Sequence, residues 1–453
     1  MAEFSTADTI VARGTPAGRG GIAIIRVAGP LVRQIAKALL GIVPQPRYAT
    51  LLEFRGSEPG DVAIDSGIAL FFPGPRSFTG DDMLELHAHG SPVVVDALLE
   101  RICSLGARHA EPGEFSRRAF LNDKLDLTQA EAIADLIDAS SRTAARAAWR
   151  SMQGQFSAKI HELNDQVTSL RVYVEAALDF PEEEIDFLSD AGLLDRLESL
   201  RGSFERLEKT TRQGCMLRDG VVVVLAGRPN AGKSSLLNAL AGYDAAIVTP
   251  VAGTTRDLVR EHIELNGLPV NIIDTAGLHS SDDTVEAEGM RRARRELAKA
   301  DHALLIVDST DSPETTAAEL LRELPAGIDH TIVSNKIDLG GGSAGVDTDD
   351  PLVVRVSALT GDGIDELRRH LEHRLGYQPS AEGSLTARQR HLESLRKASE
   401  HFSAACAVLS DSAAGELMAD ELLQVQNALA EITGQFSSDD LLGRIFESFC
   451  IGK

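Results

Sequence analysis

The chain has 453 residues, of which 43% are hydrophobic, so it can bury several cores and we expect two or three domains. Its formal net charge of −23 argues against a broad surface that tracks nucleic-acid phosphates, because such surfaces need clustered lysine and arginine. No apolar run approaches the roughly 20 residues of a membrane span, and the N-terminus lacks a basic region followed by an apolar core. We therefore expect a soluble, cytoplasmic protein.

The chain begins with a mixed segment. Residues 1–120 combine short apolar strands with two helices, which predicts an α+β domain. Residues 121–215 predict the first half of a helical domain, in which Thr128 and Glu131 have the spacing of a capping box before an alanine-rich amphipathic run. The acidic stretch that follows, Pro181 to Asp186, is interpreted either as a solvated turn or as a docking surface for a basic partner.

Residues 216–377 alternate strands with helices and predict an inserted, doubly wound α/β domain. Helical sequence returns in residues 378–453, the second half of the helical domain, which ends with the Cys-Ile-Gly-Lys sequence of Cys450 to Lys453. An insertion between two helical halves can push on both connections, which couples the inserted domain to distant helices.

A phosphate loop opens the inserted domain. Gly227 to Ser234 follows the apolar run Val221 to Ala226 and has the G-x-x-x-x-G-K-S pattern, in which backbone N–H groups and a helix N-terminus face a polyphosphate. Lys233 adds a point charge, and the Ser234 hydroxyl suits Mg²⁺. The residues predicted to bind the nucleotide here are Asn230, Ala231, Gly232, Lys233, Ser234 and Ser235.

The base is predicted to be guanine. Asn335-Lys336-Ile337-Asp338 follows a buried strand, and an aspartate at the last position accepts two N–H bonds from guanine. Adenine lacks that donor pair, so ATP would leave Asp338 unpaired at a cost of about 1 to 3 kcal/mol or more. Ser357, Ala358 and Leu359, after a further strand, are predicted to complete the base pocket.

Two switch segments are predicted between these motifs. Asp274-Thr275-Ala276-Gly277 follows a strand and suits an aspartate that reaches Mg²⁺ through water and a glycine N–H that senses the γ-phosphate. Upstream, Gly253 to Asp257 supplies Thr255 as the second protein ligand to Mg²⁺.

The water-orienting glutamine of Ras-type enzymes is replaced by Leu278, which cannot align water. Hydrolysis must recruit a polar residue from elsewhere, and the acidic segment Ser281 to Glu286 is the nearest source. No arginine finger is evident. A monovalent cation could instead offset the phosphoryl charge, with Asn230 as an oxygen ligand.

These motifs and several others resemble one family, MnmE (TrmE), the tRNA-modification GTPases, from Asp8 to Lys453. The further segments are Arg19 to Arg26, Ser77 to Asp81, Pro112 to Phe115, Lys124 to Glu131, and Phe449 to Lys453. Together they are more specific than any GTPase motif alone. The resemblance implies the whole fold class: an α+β folate-binding-like domain, a helical domain and an inserted α/β P-loop GTPase domain.

The resemblance implies a GTPase that is activated by potassium and whose GTPase domains dimerise during turnover. The family's potassium site corresponds to Asn230, Thr249, Val251 and Thr254, and its GTP contacts include Thr249, Thr254 and Thr255. The water-positioning role falls to Glu286, which from the sequence alone is one more solvated acid. Glu286, Lys233 and Thr255 are therefore the expected catalytic residues.

A folate site is also implied by the resemblance. The family binds 5,10-methylenetetrahydrofolate or 5-formyltetrahydrofolate at positions that correspond to Arg26, Glu85, Lys124 and Lys453, which the local sequence alone does not distinguish from surface charges. Cys450 is either a nucleophile with a lowered pKa or, in the favoured interpretation, a small buried hydrophobic residue. The four cysteines, at 103, 215, 406 and 450, show no C-x-x-C spacing and so indicate neither zinc nor a disulfide framework.

The implied chemistry is modification of carbon 5 of the tRNA wobble uridine with a carboxymethylaminomethyl or aminomethyl group, the amine coming from glycine or ammonium. The implied assembly is a homodimer in a heterotetramer-type complex with the flavoprotein MnmG (GidA), which carries FAD and uses NADH. Ala88, Ser91 and His279 depart from the family pattern. Ala88 and Ser91 stand where the family usually carries glycines, which bears on the fit of the folate-side loop. His279 stands where an arginine often follows, which bears on switch contacts without removing hydrolysis.

Two alternatives are left open. A ribosome-assembly or RNA-binding switch of the Era type would need an RNA-binding module, and no G-x-x-G segment with basic flanks is present. A folate-binding scaffold with a degenerate GTPase domain is disfavoured by intact Lys233, Asp274 and Asp338.

Overall fold

The computed structural model describes residues 8–56, 62–179, 191–242, 260–274, 300–311, 313–324, 327–378, 383–412, 415–435, 439–447, 449 and 452. The chain forms two compact units. The first unit contains Met1–Ala134, Met152–Leu200 and Ser394–Lys453, and the second contains Asp135–Ser151 and Arg201–Glu393. The domain boundaries given above remain predictions.

The first unit is built around an antiparallel sheet with one parallel edge pair and the order β3-β4-β5-β2-β1-β6. Its strands are β1 (Ile10–Arg13), β2 (Gly20–Ala28), β3 (Thr50–Phe54), β4 (Asp65–Phe72), β5 (Met83–Gly90) and β6 (Arg108–His109). Side chains alternate between the faces of a strand, so β2 buries Ala23, Ile25 and Val27 and directs Arg26 to the opposite face. The antiparallel register places Arg26 beside Glu85 of β5.

Helices make up most of the rest of the described chain. In chain order they are α1 (Val32–Leu40), α2 (Pro92–Ser104), α3 (Glu114–Leu121), α4 (Leu127–Asp138), α5 (Arg142–Met152), α6 (Gln155–Asp179), α7 (Ala191–Asp219), α8 (Lys233–Ala241), α9 (Pro313–Glu323), α10 (Ile337–Gly340), α11 (Ile364–Arg374), α12 (Gln389–Ser412), α13 (Gly415–Thr433) and α14 (Asp439–Glu447). The α+β, helical and α/β parts predicted from the sequence are all present.

The start of α4 corrects one prediction. The capping side chain is Asp126, whose Oδ1 accepts hydrogen bonds from the Gln129 backbone N–H at 2.9 Å and the Thr128 hydroxyl at 2.6 Å. The Gln129 Oε1 accepts a hydrogen bond from the Asp126 backbone N–H at 3.0 Å. The capping box is therefore Asp126 with Gln129, and the assignment to Thr128 and Glu131 is wrong because α4 begins before Thr128.

The second unit contains a seven-stranded sheet with the order β12-β13-β11-β10-β7-β9-β8. Its strands are β7 (Val221–Gly227), β8 (Arg260–Leu265), β9 (Leu268–Asp274), β10 (His302–Asp308), β11 (His330–Asn335), β12 (Gly345–Val346) and β13 (Val353–Arg355). The inner five strands are parallel, and β8 and β12 pair antiparallel at the edges. The chain winds to both sides of β7, as predicted for a doubly wound fold.

Both faces of this sheet are covered, which explains its nearly continuous apolar strands. Alternate residues of β7 point to opposite cores: Val223 and Leu225 pack with Leu236 of α8, whereas Val224 packs with Leu320 of α9. Because all five parallel strands end at one edge, the loops that follow them converge there.

Within the described residues, none of the helices is long and apolar enough to span a membrane.

Candidate active site

The phosphate loop lies between the end of β7 and the start of α8. Its glycines are required by space and by backbone conformation. A Cβ at Gly227 would lie 2.8 Å from the Ile306 carbonyl oxygen of the neighbouring strand, and one at Gly232, where φ is +94°, would collide with the Asn335 amide. Asn230 also adopts a left-handed conformation, with φ of 65°. The loop thus has the curvature that turns backbone N–H groups inward.

Lys233 is held inside the loop that precedes it. Its Nζ donates to the Gly227 carbonyl at 2.7 Å and lies 3.4 Å from that of Arg228. Ser234 and Ser235 are exposed at the N-terminus of α8, where the helix dipole favours an anion. The Ser234 hydroxyl is therefore accessible to a metal ion.

The far end of α8 is fixed by an arginine. Arg368 of α11 donates to the carbonyls of Ala239 and Leu240, both at 3.0 Å. A guanidinium on the last carbonyls of a helix satisfies acceptors that have no partner within the helix and interacts favourably with its dipole. Arg368, which the sequence does not single out, therefore stabilises the helix that carries Lys233 and Ser234.

Asn335 connects the phosphate loop to the base loop. Its Nδ2 donates to the Ala231 carbonyl at 2.9 Å, and its Oδ1 accepts from the Ala358 backbone N–H at 3.0 Å. The residue is 1% exposed, so both bonds lie in the interior. The sequence predicts Asn335 as a nucleotide contact, whereas the structure shows it holding two of the motifs together.

Asp338 and Ser357 form the base side of the site. The Ser357 hydroxyl donates to Asp338 Oδ1 at 2.6 Å, and the Asp338 side chain is otherwise exposed. Ala358 is half-buried and Leu359 is 84% exposed beside them. The carboxylate is thus oriented by one hydroxyl and accessible to a ligand.

Lys336 is positioned by residues that sequence reasoning missed. Its Nζ lies 2.7 Å from Asp308 Oδ2, and the Ser309 hydroxyl donates to the Lys336 carbonyl at 2.9 Å. The hydrogen bond from Lys336, supported by the Thr310 backbone N–H, lowers the pKa of Asp308 to about 2. The sequence offers only a partial signal, because Asp308 ends the apolar strand β10 but the ion pair also requires β10 to lie beside β11.

The switch side is described only to Asp274, which ends β9 beside Leu225 of β7. This register places the Asp274 backbone at the same sheet edge as the phosphate loop. The remaining predicted ligands and catalytic residues lie outside the described residues: Thr249, Val251, Thr254, Thr255, Thr275, Ala276, Gly277 and Glu286. In the described part of the chain, no group of three or more His, Cys, Asp or Glu side chains could hold a metal ion.

A second cluster lies on the first unit's sheet. Arg26 Nε donates to Glu85 Oε1 at 2.9 Å, and His87 Nε2 lies 3.7 Å from Glu85 Oε2. That second oxygen accepts no hydrogen bond from any described residue. It remains available to a donor from a ligand.

The C-terminus reaches the same cluster. The Gly452 carbonyl accepts a hydrogen bond from Arg26 Nη1 at 3.4 Å. A side chain at Gly452 would strain the backbone and displace the C-terminus, because φ is +94° and a Cβ would collide with the Arg13 carbonyl oxygen. The structure therefore brings Arg26, Glu85 and Gly452 together, while the neighbouring Cys450 and Lys453 lie outside the described residues.

Lys124 stands in a turn after α3, with its backbone N–H bonded to the Ala119 carbonyl at 2.8 Å. The turn is fixed by Asn122, whose Nδ2 donates to the Thr79 carbonyl at 2.6 Å. The Lys124 side chain is exposed and makes no hydrogen bond or ion pair with a described residue. The structure thus does not bring Lys124 into contact with Arg26 or Glu85.

Two of the N-terminal motifs meet in a buried ion network. Arg118, 2% exposed, lies 3.0 Å from Glu114 Oε1, 2.8 Å from Asp8 Oδ1 and 3.7 Å from Asp81 Oδ2. Burial raises the pKa of Asp81 despite this arginine. The network links the Ser77–Asp81 and Pro112–Phe115 segments, so their role in the described structure is to fix the fold around Lys124.

The chain was compared with known families and proteins. The family described as the GTP-binding protein TrmE N-terminus matches residues 9–124, and the MnmE helical domain family matches residues 127–450. The tRNA modification GTPase MnmE of Yersinia pseudotuberculosis serotype O:1b is 55% identical over 456 residues, covering 99% of this chain and 100% of that protein. The protein with the same description from Yersinia pestis is 54% identical over 456 residues, with the same coverage.

Among solved structures, a variant of Era from Aquifex aeolicus bound to GDP and aluminium fluoride is 27% identical, with a TM-score of 0.26. It covers 40% of this chain, and the match spans 66% of that chain. The two family matches and the full-length identity to the Yersinia proteins decide the assignment. The chain belongs to the MnmE (TrmE) family of tRNA modification GTPases.

Proposed function

We propose that this protein is a potassium-activated GTPase that modifies carbon 5 of the tRNA wobble uridine. It would act with an FAD-containing MnmG (GidA) flavoprotein and add a carboxymethylaminomethyl or aminomethyl group using a tetrahydrofolate one-carbon unit. The observation that carries the GTPase part is Asn335, which joins the phosphate loop to the base loop through two buried hydrogen bonds.

Guanine specificity rests on Asp338. One of its oxygens is fixed by the Ser357 hydroxyl, which orients the carboxylate for the two N–H donors of guanine. Adenine cannot supply that pair, so binding ATP would desolvate the carboxylate without compensation. We therefore expect GTP and GDP to bind and ATP to be rejected.

Hydrolysis requires charge compensation and an oriented water. The loop residues fit Mg²⁺ and K⁺, because Ser234 and Asn230 are exposed at the helix N-terminus and the loop, and both carry oxygen ligands. Thr255 is proposed as the second ligand to Mg²⁺, and Thr249, Val251 and Thr254 as the other K⁺ ligands. Bound cations supply electrostatic stabilisation of the phosphoryl group. Glu286 is proposed to position water.

Tetrahydrofolate is proposed to bind at Arg26 and Glu85, with Lys124 and Lys453 completing the site. The described residues fit a pterin, because Glu85 Oε2, which lies 3.7 Å from His87 Nε2, can accept from the pterin N–H groups, as a carboxylate does for an aminopyrimidine edge. The bound folate would supply the one-carbon unit. Arg26 fixes the Glu85 carboxylate and the Gly452 carbonyl. Cys450 is proposed as a small buried residue rather than a nucleophile.

The proposed assembly is a homodimer in a heterotetramer-type complex with the flavoprotein, in the cytoplasm. The net charge of −23 leaves little of this chain's surface suited to tRNA, so a basic partner would supply most of the tRNA affinity.

The proposed function is tested by nucleoside mass spectrometry of tRNA from cells that lack the gene and carry plasmid copies. The wild-type copy should restore the modified wobble uridine, and copies with Lys233→Ala or Glu85→Gln should not, whereas the exposed-lysine control Lys209→Ala should. Unchanged wobble uridine in the gene-deleted cells would refute the function and favour a switch of the Era type.

A further inference from the structure

Helix α5 lies in one of several stretches of this acidic chain that contain no acidic residue. The chain has 68 aspartates and glutamates, yet residues 139–161 hold none, and they include Arg142, Arg146, Arg150 and Lys159. Three of these four cations belong to α5. The helix is therefore locally cationic, although the chain as a whole is acidic.

The inner face of α5 is fixed within the second unit. Ala144, Ala147 and Ala148 are at most 3% exposed. At the start of the helix the Ser141 hydroxyl donates to the Gly267 carbonyl at 3.0 Å and accepts from the Ala144 backbone N–H. At its end the Ser151 hydroxyl exchanges two 3.0 Å bonds with the Thr386 backbone. The orientation of α5 is thus determined at both ends.

The opposite face carries Arg142, Arg146 and Trp149. Residues three or four apart lie on one side of a helix, so these three form a single stripe, with about 6 Å along the axis between the two arginines. Both arginines are exposed, and Arg150 beside them is half-buried. Trp149, the only tryptophan of the chain, is 51% exposed.

The three arginines of α5 are unpaired within the described part of the chain. None of Arg142, Arg146 and Arg150 forms a hydrogen bond or an ion pair there, whereas Arg218 and Arg388 of the same unit both contact Asp135. An isolated exposed apolar side chain needs no explanation. An exposed indole between unpaired guanidinium groups on one fixed face does need an explanation, because the indole ring and the arginine charges can contact the same ligand.

We propose that the Arg142–Arg146–Trp149 stripe of α5 binds a single-stranded segment of tRNA. A base would stack on the Trp149 indole, and the guanidinium groups would contact the neighbouring phosphates. This surface rests on the proposed function, since it assigns to this chain one local contact with the tRNA substrate. An acidic protein would match the charges equally well but gives the exposed indole no stacking partner, so RNA fits the stripe better.

Trp149 provides the assay, because the single tryptophan makes intrinsic fluorescence a direct report on this face. The full-length protein is titrated with an anticodon stem-loop RNA and, separately, with a duplex RNA of the same composition. The stem-loop should quench the fluorescence at lower concentration than the duplex, since only unpaired bases can stack. Equal quenching by the duplex, or by polyglutamate at the same salt concentration, would overturn the assignment.

Variants separate stacking from charge, with affinity measured by anisotropy of labelled stem-loop RNA. Trp149→Ala should weaken binding roughly five- to 150-fold, the range for loss of one stacked base. Arg142→Ala with Arg146→Ala should reduce the slope of log affinity against log salt by about 1.4, since each phosphate contact on a single strand contributes about 0.7.

The matched control is Lys209→Ala with Lys397→Ala, which removes two exposed helical cations elsewhere. It should retain the wild-type slope. Equal slopes for both double variants would refute the surface. If wobble-uridine modification in cells nevertheless persists, the proposed function survives and only this contact fails.

Discussion

The nucleotide site and the Arg26 cluster are built in opposite ways. The nucleotide site uses short motifs at the ends of adjacent parallel strands, held together by hydrogen bonds between the motifs, such as those of Asn335. The Arg26 cluster joins residues 26, 85 and 452, which are far apart in the sequence. The nucleotide site can be predicted from the sequence because its motifs are local. The Arg26 cluster cannot, because its residues come together only when the chain has folded.

Because the nucleotide site and the Arg26 cluster share no residue, we expect each to lose its activity without the other. A substitution in the phosphate loop should abolish hydrolysis and leave folate binding intact, and a substitution at the C-terminus should do the reverse. The four changes that follow test this separation.

Lys233→Ala should have the largest effect. The substitution removes the ammonium group, held by the Gly227 carbonyl, that would stabilise the phosphates of GTP. Removal of one such electrostatic group typically lowers kcat by about 10² to 10³. Steady-state GTP hydrolysis measures the loss, and binding of 5-formyltetrahydrofolate should not change. Lys209→Ala is the control, and a kcat for Lys233→Ala within twofold of wild type would contradict the assigned role.

Acid should destabilise the second unit first. Burial lowers the pKa of His302 to about 4, against the opposing effect of Asp329. Since its folded pKa lies below the unfolded value of 6.5, the stability it contributes is complete above pH 6.5. That stability falls between pH 6.5 and about 4, by about 3 kcal/mol for a shift of this size.

Urea unfolding at several pH values, followed by nucleotide binding, measures this dependence. His302→Gln should flatten it, whereas the exposed-histidine control His109→Gln should retain it. In the first unit, burial raises the pKa of Glu114, but hydrogen bonds from Arg108, the Glu111 backbone N–H and Arg118 together lower it below its usual value. That carboxylate therefore loses its contribution to stability only at lower pH. If folate binding were lost at a higher pH than nucleotide binding, the expectation that acid destabilises the second unit first would be wrong.

Asn335→Ala tests whether the two motifs of the nucleotide site depend on one side chain. The change leaves the Ala231 carbonyl and the Ala358 N–H without their partner, at about 1 to 3 kcal/mol for each buried group. GTP affinity by calorimetry should fall at least about tenfold. Asn238→Ala, an exposed position on α8, should bind normally, and equal affinities for the two variants would remove Asn335 from its bridging role.

Gly452→Ala should have the smallest effect on activity, and that effect should be confined to folate binding. A Cβ displaces the C-terminus from Arg13 and Arg26, so 5-formyltetrahydrofolate should bind about tenfold more weakly while GTP hydrolysis is unchanged. Gly443→Ala in α14 is the control, because a Cβ there meets nothing within 4 Å. Normal folate binding by Gly452→Ala would separate the C-terminus from that site.

Some of this structure follows from the sequence and some does not. The strand before the phosphate loop and the strand before Asn335 were predicted because apolar runs and turn residues are local signals. The Asp308–Lys336 ion pair and the Arg368 cap were missed, since they depend on which strand lies beside which. Gly452 is one glycine among 39, and nothing near it in the sequence indicates Arg13 or Arg26. The capping-box prediction failed because two candidate pairs, Asp126 with Gln129 and Thr128 with Glu131, overlap in the sequence.

The central claim is a GTPase that lacks the Ras-type glutamine, with Leu278 at that position, and uses a cation in place of an arginine finger. The most direct measurement is GTP hydrolysis by the purified protein in potassium and in sodium at equal ionic strength, which keeps charge screening constant. We predict strong activation by potassium and little activity in sodium. Equal activity in the two salts would contradict the account and indicate an arginine or a partner-supplied group instead.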